Sequence, residues 1–288
     1  MIEILDGFLT TVAYLASAFI LFFIGKLVYQ LFHPKIKVNY QLVEADNFAF
    51  AISYVGYYIG LLLAIGSAVI GESEGHLDLD LINIGIYGGL AILLLNLSVI
   101  VNDKVIFRKF DIKRELIDDK NVGTGIIEAA NSIATGLIIL GAIHGEVYGD
   151  GGPIVTVLLY WILGQVIMYI VSLVYNAITP YDIHDHIEKK NAAVAIGYAG
   201  ALIAVANLIR FALMHDFESW VITLEDVGID TAIGLVLLPI VRFLTDKILL
   251  PGQKLTDEIV NQEHPNHGAA LIEAFAYIGG SILITWSL

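Results

Sequence analysis

The chain has 288 residues, of which 57% are hydrophobic and only 15% charged, and its mean hydropathy is +0.78. Soluble domains carry about 25% charged residues, so this composition excludes an ordinary water-soluble domain and points to the membrane. The net charge is −14, no basic patch of the nucleic-acid-binding kind appears, and the absence of cysteine excludes disulfides and thiolate metal sites.

Eight stretches are long and apolar enough to cross a bilayer as helices, which takes about 20 residues. They are 7–32, 48–70, 81–106, 122–144, 154–178, 192–214, 227–250 and 267–287. The first follows an acidic start, MIEILDG, that lacks the basic stretch and cleavage site of a secretory signal, so it reads as a permanent span. The fourth and eighth each carry an internal carboxylate, Glu128 and Glu273, and the seventh is weakened by Asp230 and Arg242. Lys and Arg concentrate in loops 1, 3, 5 and 7, while loops 2, 4 and 6 hold acids and neither Lys nor Arg. The positive-inside rule then predicts that the odd loops are cytoplasmic and both termini outside. The opposite face is acidic and would concentrate cations by a modest, salt-screened factor.

The chain repeats itself. Asn47, Asn121, Asn191 and Asn266 each open an apolar helix with a similar pattern: NFAFAISYVG, NVGTGIIEAA, NAAVAIGYAG and NHGAALIEAF. The spacings are 74, 70 and 75 residues, so one two-helix unit is written four times. Seven residues past each Asn come Tyr54, Glu128, Tyr198 and Glu273, so the copies alternate and the chain is also two halves, 1–146 and 147–288. The odd helices correspond as well: YQLFHP resembles YNAITP, Asp103-Lys104 resembles Asp246-Lys247, and Asp80 and Asp226 both open the odd helix of their half's second unit. Units with an even number of spans repeat in parallel orientation. The repeated Asn suits an N-cap. Small residues recur two, nine and thirteen positions later on one helical face, with Phe275 the exception at nine, and such stripes let membrane helices approach closely. The even helices are therefore the predicted centre of the bundle. Three linkers, DIKRELIDDKN, DIHDHIEKKN and KLTDEIVNQEHPN, have apolar residues at helical spacing and predict short interfacial helices.

The string ITPYDIHDHIEKKNAAVAIGYAGALIA (178–204) and the later NHGAALIEAFAYIGG (266–280) are similar to the signature of the YjfL-like inner-membrane family, a domain of unknown function (number 350). Its members typically carry one four-helix copy, and this chain looks like two in tandem. The resemblance implies a four-span fold used twice, a bacterial inner-membrane location, and single-copy relatives that associate in pairs. It supplies no catalytic residues.

Glu128 and Glu273 are the leading candidates for function. Seven residues put each roughly 10 Å inside its helix, where a carboxylate costs on the order of 2–3 kcal/mol and usually faces the interior or a water path. Two readings stand: a cation or proton site with Tyr54 and Tyr198 as hydrogen-bond partners, or a structural Glu bonded within the bundle, to those same tyrosines. Asp226 is expected to cap helix 7, and Asp230, one turn deeper, to join it in an outer vestibule for cations, with Arg210 as its counter-charge or as a lone anchor at the outer interface. Lys26 and Arg242 lie near helix ends, where they can snorkel, or reach a neighbouring helix. His184-x-His186 lacks the further ligands a zinc site needs, and His144 and His215 read as ordinary interfacial histidines rather than haem ligands. No nucleophile elbow, phosphate loop, zinc-protease or dinucleotide motif appears.

The expectation is an all-α integral membrane protein of eight spans, with no cofactor, no metal and no enzymatic constellation. Its partners would be the lipid bilayer and either a second copy of the chain or a cytoplasmic protein docked on the charged linkers. The functional readings are a small-cation or proton pathway, or a non-transporting membrane component.

Overall fold

The computed structural model describes residues 2–71, 73–105, 111–144, 149, 151–215, 217–249 and 252–287, and among these there is no strand. Eight long helices run Ile2–Phe32 (α1), Phe48–Ile70 (α2), Leu77–Val105 (α3), Val122–His144 (α4), Pro153–Ile178 (α5), Ala192–Leu213 (α6), Trp220–Leu244 (α7) and His267–Ser287 (α8). Each contains a stretch long and apolar enough to cross a membrane. The expected boundary between halves falls largely on residues 145–148 and 150, outside those described, as do Arg108 and Lys109 of the basic third loop, part of the expected docking surface.

The even helices form a row, α2 against α4 against α6 against α8, with the odd helices packed on its flanks. Small residues make the row possible. A Cβ on Gly56 would overlap Ala129, and one on Gly60 would overlap the Ser132 carbonyl. One on Gly141 would lie 2.5 Å from the Arg210 carbonyl oxygen, across the α4–α6 contact. These backbones lie in van der Waals contact; dispersion and close packing hold membrane helices that water cannot drive together.

The repeated Asn has two jobs. Its side-chain oxygen caps its own helix, accepting from Phe50 N (3.0 Å), Gly123 N (3.0 Å), Val194 N (3.2 Å) or Ala269 N (3.0 Å). Its amide then donates onward: Asn47 to the Leu116 carbonyl, Asn121 to the Ile187 carbonyl and Asn191 to the Ile259 carbonyl, each at 2.7–2.9 Å and each in the next unit's linker. Asn266 has no following unit and donates to its own linker's Glu258. The residue before the Asn adopts a left-handed conformation in three copies, Asp46, Lys120 and Lys190, while Pro265 takes that place in the fourth.

The three expected linker helices are present in shortened form: a π-helical turn at Arg114–Asp118 and single helical turns at Ile183–Glu188 and Leu255–Val260. Their buried Leu116, Ile187 and Ile259 seat them on the bundle's end. The first linker holds a π-helical turn too, Tyr40–Glu44. One boundary needs correction. Helix α7 starts at Trp220 because Ser219 caps it, its hydroxyl accepting from Ile222 N at 3.3 Å. Asp226 therefore sits inside α7 and does not cap it.

Candidate functional site

The two carboxylates occupy matching places on α4 and α8 in very different surroundings. Glu273 is wholly buried. Arg242 reaches from α7 to pair with it, Nη1 to Oε1 at 2.8 Å, and Tyr277, one turn along α8, donates to the same oxygen at 3.2 Å. The second guanidinium nitrogen donates to Thr256 Oγ1 at 3.1 Å, and the guanidinium lies 5.7 Å from the centre of the Tyr181 ring. The other carboxylate oxygen faces Gly197 of α6, where a Cβ would come within 2.6 Å. Tyr175 of α5 stacks on Tyr198 and meets Tyr277 edge-on. The site is a sealed ion pair. Arg242 thus turns inward to a neighbouring helix instead of snorkelling.

Glu128 is also buried, at 7% exposure, but it lines a cavity of about 320 Å³. The cavity opens at the basic-loop end between α1, α2, α3 and α4, and Tyr29, Ser53, Tyr57, Val99 and Ser132 share its wall with Glu128. Lys35 and Lys113, both exposed, stand at its mouth beside His33. Burial pushes the His33 imidazole below its ordinary pKa, against a hydrogen bond to the Tyr29 carbonyl that acts the other way.

The tyrosines expected to serve the carboxylates are engaged elsewhere. Tyr54 accepts from Tyr58 at 2.7 Å, and Tyr198 donates to Ser172 at 2.6 Å. Tyr29 and Tyr57 line the Glu128 cavity instead, and Tyr277 bonds Glu273. The sequence carries a signal for two of these three. Tyr277 lies four residues past Glu273, one helical turn away, and Tyr29 and Tyr175 open the matching strings YQLFHP and YNAITP.

At the acidic end a second cavity, of about 380 Å³, lies among the same four helices, lined by Tyr14, Ser67, Glu74, Asp80, Asn83 and His144 among others. Asp80 is 6% exposed and accepts from Tyr14 OH (2.6 Å), Ser73 Oγ (2.7 Å) and Glu74 N (2.7 Å). The sequence pattern pairs Asp80 with Asp226. The structural counterpart of the Tyr14–Asp80 contact is Tyr160 with Thr223, 3.5 Å apart on α5 and α7. Asp226 is half-buried and Asp230 buried, at 9% exposure, on α7. Arg210 is not the counter-charge of Asp230: it donates to Asn207 at 3.1 Å and lies 2.9 Å from the Met214 sulfur. Among the described residues, no three His, Asp or Glu side chains gather as a metal site.

Comparison with known proteins fits this doubled architecture. The model of the family described as Domain of Unknown Function (DUF350) matches the chain twice, over residues 3–143 and 151–288. A "UPF0719 transmembrane protein" from Aquifex aeolicus (strain VF5) is 23% identical over 257 residues, covering 88% of this chain and 90% of that protein. No solved structure matches. Two tandem matches that take in both carboxylates and all eight long helices make the chain a multi-pass membrane protein of the DUF350 family, carrying two copies of its domain.

Proposed function

We propose that the first half is a pathway for a small cation or proton, with Glu128 as its carboxylate at the basic-loop end and Asp80 at the acidic end. The observation that carries this reading is the pair of cavities, about 320 Å³ and about 380 Å³, at opposite ends of α1–α4, with a buried carboxylate in the wall of each. Between them, the stretch of α2 from Tyr57 to Ser67 amounts to about 15 Å of helix. Leu61 and Ala64 on α2 and Leu95 on α3 are completely buried there and form the barrier. Passage requires this apolar plug to yield while one mouth closes, as in alternating access. Glu273, sealed by Arg242, is a structural charge in this reading. In this reading the Glu128 mouth, at the end of the basic loops, faces the cytoplasm across a bacterial inner membrane, and both termini lie outside, a reading that the positive-inside rule supports.

The alternative, docking of a cytoplasmic partner on the charged linkers, has less support. Lys120 donates to the Ala45 carbonyl at 2.6 Å, Lys190 to the Asp119 carbonyl at 2.8 Å, and Arg114 pairs with Asp119 at 3.4 Å. Those cations already tie one linker to the next or stabilise their own.

Purified protein in proteoliposomes, with proton, sodium and potassium flux read by internal dyes, tests the proposal. Glu128→Gln is expected to abolish flux without lowering the melting temperature in detergent. Wild-type protein that moves none of these ions faster than empty vesicles sinks the pathway.

A further inference from the structure

The acidic ends of α1–α4 combine a cation-attracting cavity with an apolar groove. The cavity, of about 380 Å³, falls within the roughly 300–1,000 Å³ range of small-molecule sites. Asp80 and Glu74 bring carboxylates to its wall, and Asn83 and Ser67 bring further polar atoms. Tyr14 and Tyr87 add two phenol rings, and Tyr14 is fixed by the bond from its hydroxyl to Asp80. Much of the remaining wall is apolar, with Ile84 and Ile143 in it, and the base it holds is the imidazole of His144. No Lys or Arg neutralises these acids. The sequence has neither in 1–25, 38–103 or 121–188, the stretches that supply every lining residue and both loops at that end of α2–α5. Arg210, near the same end of α6, is turned to Asn207 and Met214. Val69 and Ile70 of α2 line this cavity and also a groove of about 460 Å³ between α1 and α2. Leu15, Phe19 and Leu62 of the groove are more than half exposed, so it opens to the bilayer, and a Cβ on Gly66 in its wall would meet nothing within 4 Å.

We propose that this end of the first half binds an organic ammonium ion with a short apolar tail, its head in the cavity beside Asp80 and its tail in the α1–α2 groove. The inference rests on the reading of the first half as a cation pathway and names the class of cation held at its acidic-end mouth. A hard metal ion takes about six to eight oxygen ligands. Asp80 already accepts from Tyr14, Ser73 and Glu74, and much of the wall around it is carbon. An alkylated ammonium asks for less: the field of the carboxylates, an aromatic face and apolar contact for its methyl groups. The tail follows from the shared wall. Val69 and Ile70 belong to both spaces, so a chain attached to the head leaves the cavity along α2 and enters the groove. A singly charged amphiphile suits the place better than a zwitterionic lipid headgroup, whose phosphate would enter a wall that holds carboxylates and neither Lys nor Arg.

The test uses the full chain in phosphatidylglycerol nanodiscs, with empty discs as the blank, and radiolabelled hexyltrimethylammonium in equilibrium dialysis. One probe per chain is expected. Tetramethylammonium, which keeps the head and loses the tail, should bind at least about tenfold more weakly, and hexanol, which keeps the tail and loses the charge, should not compete. Asp80→Asn should weaken both ammonium ions by about tenfold, the worth of one charged contact. Glu74→Gln with Tyr87→Leu takes its place if that variant fails to fold. Gly66→Leu, which puts a side chain into the groove, should erase the advantage of the tail and leave tetramethylammonium unchanged. Displacement of the probe by potassium at equal concentration, or by phosphatidylethanolamine added to the discs, would assign the site to a metal ion or a lipid and overturn the proposal. Probe binding that the folded carboxylate variants leave intact, or a tail advantage that survives Gly66→Leu, overturns it as well. Glu128-dependent proton, sodium or potassium flux with no bound probe removes the ligand class and keeps the pathway. Probe binding without flux does the reverse.

Discussion

Replacing Arg242 with Met should be among the most damaging single changes in the second half. It removes a charge-assisted hydrogen bond to Glu273 at 2.8 Å, worth about 1.5–3 kcal/mol, and a bond to Thr256 at 3.1 Å, worth about 0.5–1.5 kcal/mol. The guanidinium over the Tyr181 ring adds about 0.5–1 kcal/mol. Together these reach about 3–5 kcal/mol, which is also the usual cost of stranding one partner of a buried pair, and Glu273 is wholly buried. At about 2–4 °C per kcal/mol, the melting temperature in detergent should fall by about 6–20 °C. The double variant Arg242→Met with Glu273→Leu removes both charges and should recover most of that loss, because well-packed apolar replacements of a buried pair are often neutral. Circular dichroism melts of the four members of this cycle supply the coupling energy directly. A single variant that costs less than about 1 kcal/mol, or a double variant no better than the single, would mean that Glu273 is not held as a charge by Arg242.

Three smaller predictions probe the scaffold. Gly60→Ala, whose Cβ would meet the Ser132 carbonyl, should cost about 1–3 kcal/mol by overpacking, whereas Gly66→Ala, with nothing within 4 Å, should be neutral or gain up to about 1 kcal/mol of helix propensity; chemical denaturation in mixed micelles separates them. Asn121→Ala should cost about 2–4 kcal/mol, a cap plus a buried Ile187 carbonyl left without its donor, while Asn266→Ala, on an exposed residue, should cost only about 1 kcal/mol in the same assay. His33 is held below its ordinary pKa, so unfolding takes up a proton there. Stability should fall as pH drops through about 6.5, and His33→Gln should flatten that part of a melting-temperature profile taken between about pH 8 and 5.

Much of the fold was legible because the repeat announced it. Four Asn-led patterns located the even helices and their caps, and the small residues beside them foretold the close-packed row. The start of α7 was misplaced because Ser219, its true cap, precedes a run of acids that hydropathy reads as loop. The site was half legible. Depth alone singles out Glu128 and Glu273, but matched depth does not give side-chain direction, so it points to Tyr54 and Tyr198, whereas Tyr277 bonds Glu273 and Tyr29 and Tyr57 share the wall of the Glu128 cavity. Arg242 near a helix end suits either snorkelling or a reach to a neighbouring helix, and its position in the sequence does not decide between them. Its inward turn depends on Glu273, Thr256 and Tyr181, which come from three different segments and meet only in the folded chain.

The row of even helices has two finished ends, and this bears on why the halves could diverge. Gly123 and Gly141 lie on the α4 face turned to α6, and Ala130 shares that face by register. The same register on α8 reads Gly268, Phe275 and Trp286, and Phe275 and Trp286 are 68% and 80% exposed. The one break in the small-residue pattern therefore falls where a fifth helix would pack. At the other end Val55 and Leu62 of α2, more than half exposed, stand where α6 has Ala199 and Ala206. Bulky residues close both ends of the stack, as terminal repeats do in solenoids. Between those ends, backbone-to-backbone packing holds Glu128 and Glu273 at fixed depth whatever surrounds them. On this frame the second half fills the space beside its carboxylate with Arg242 and Tyr277, while the first half has a cavity of about 320 Å³ beside Glu128.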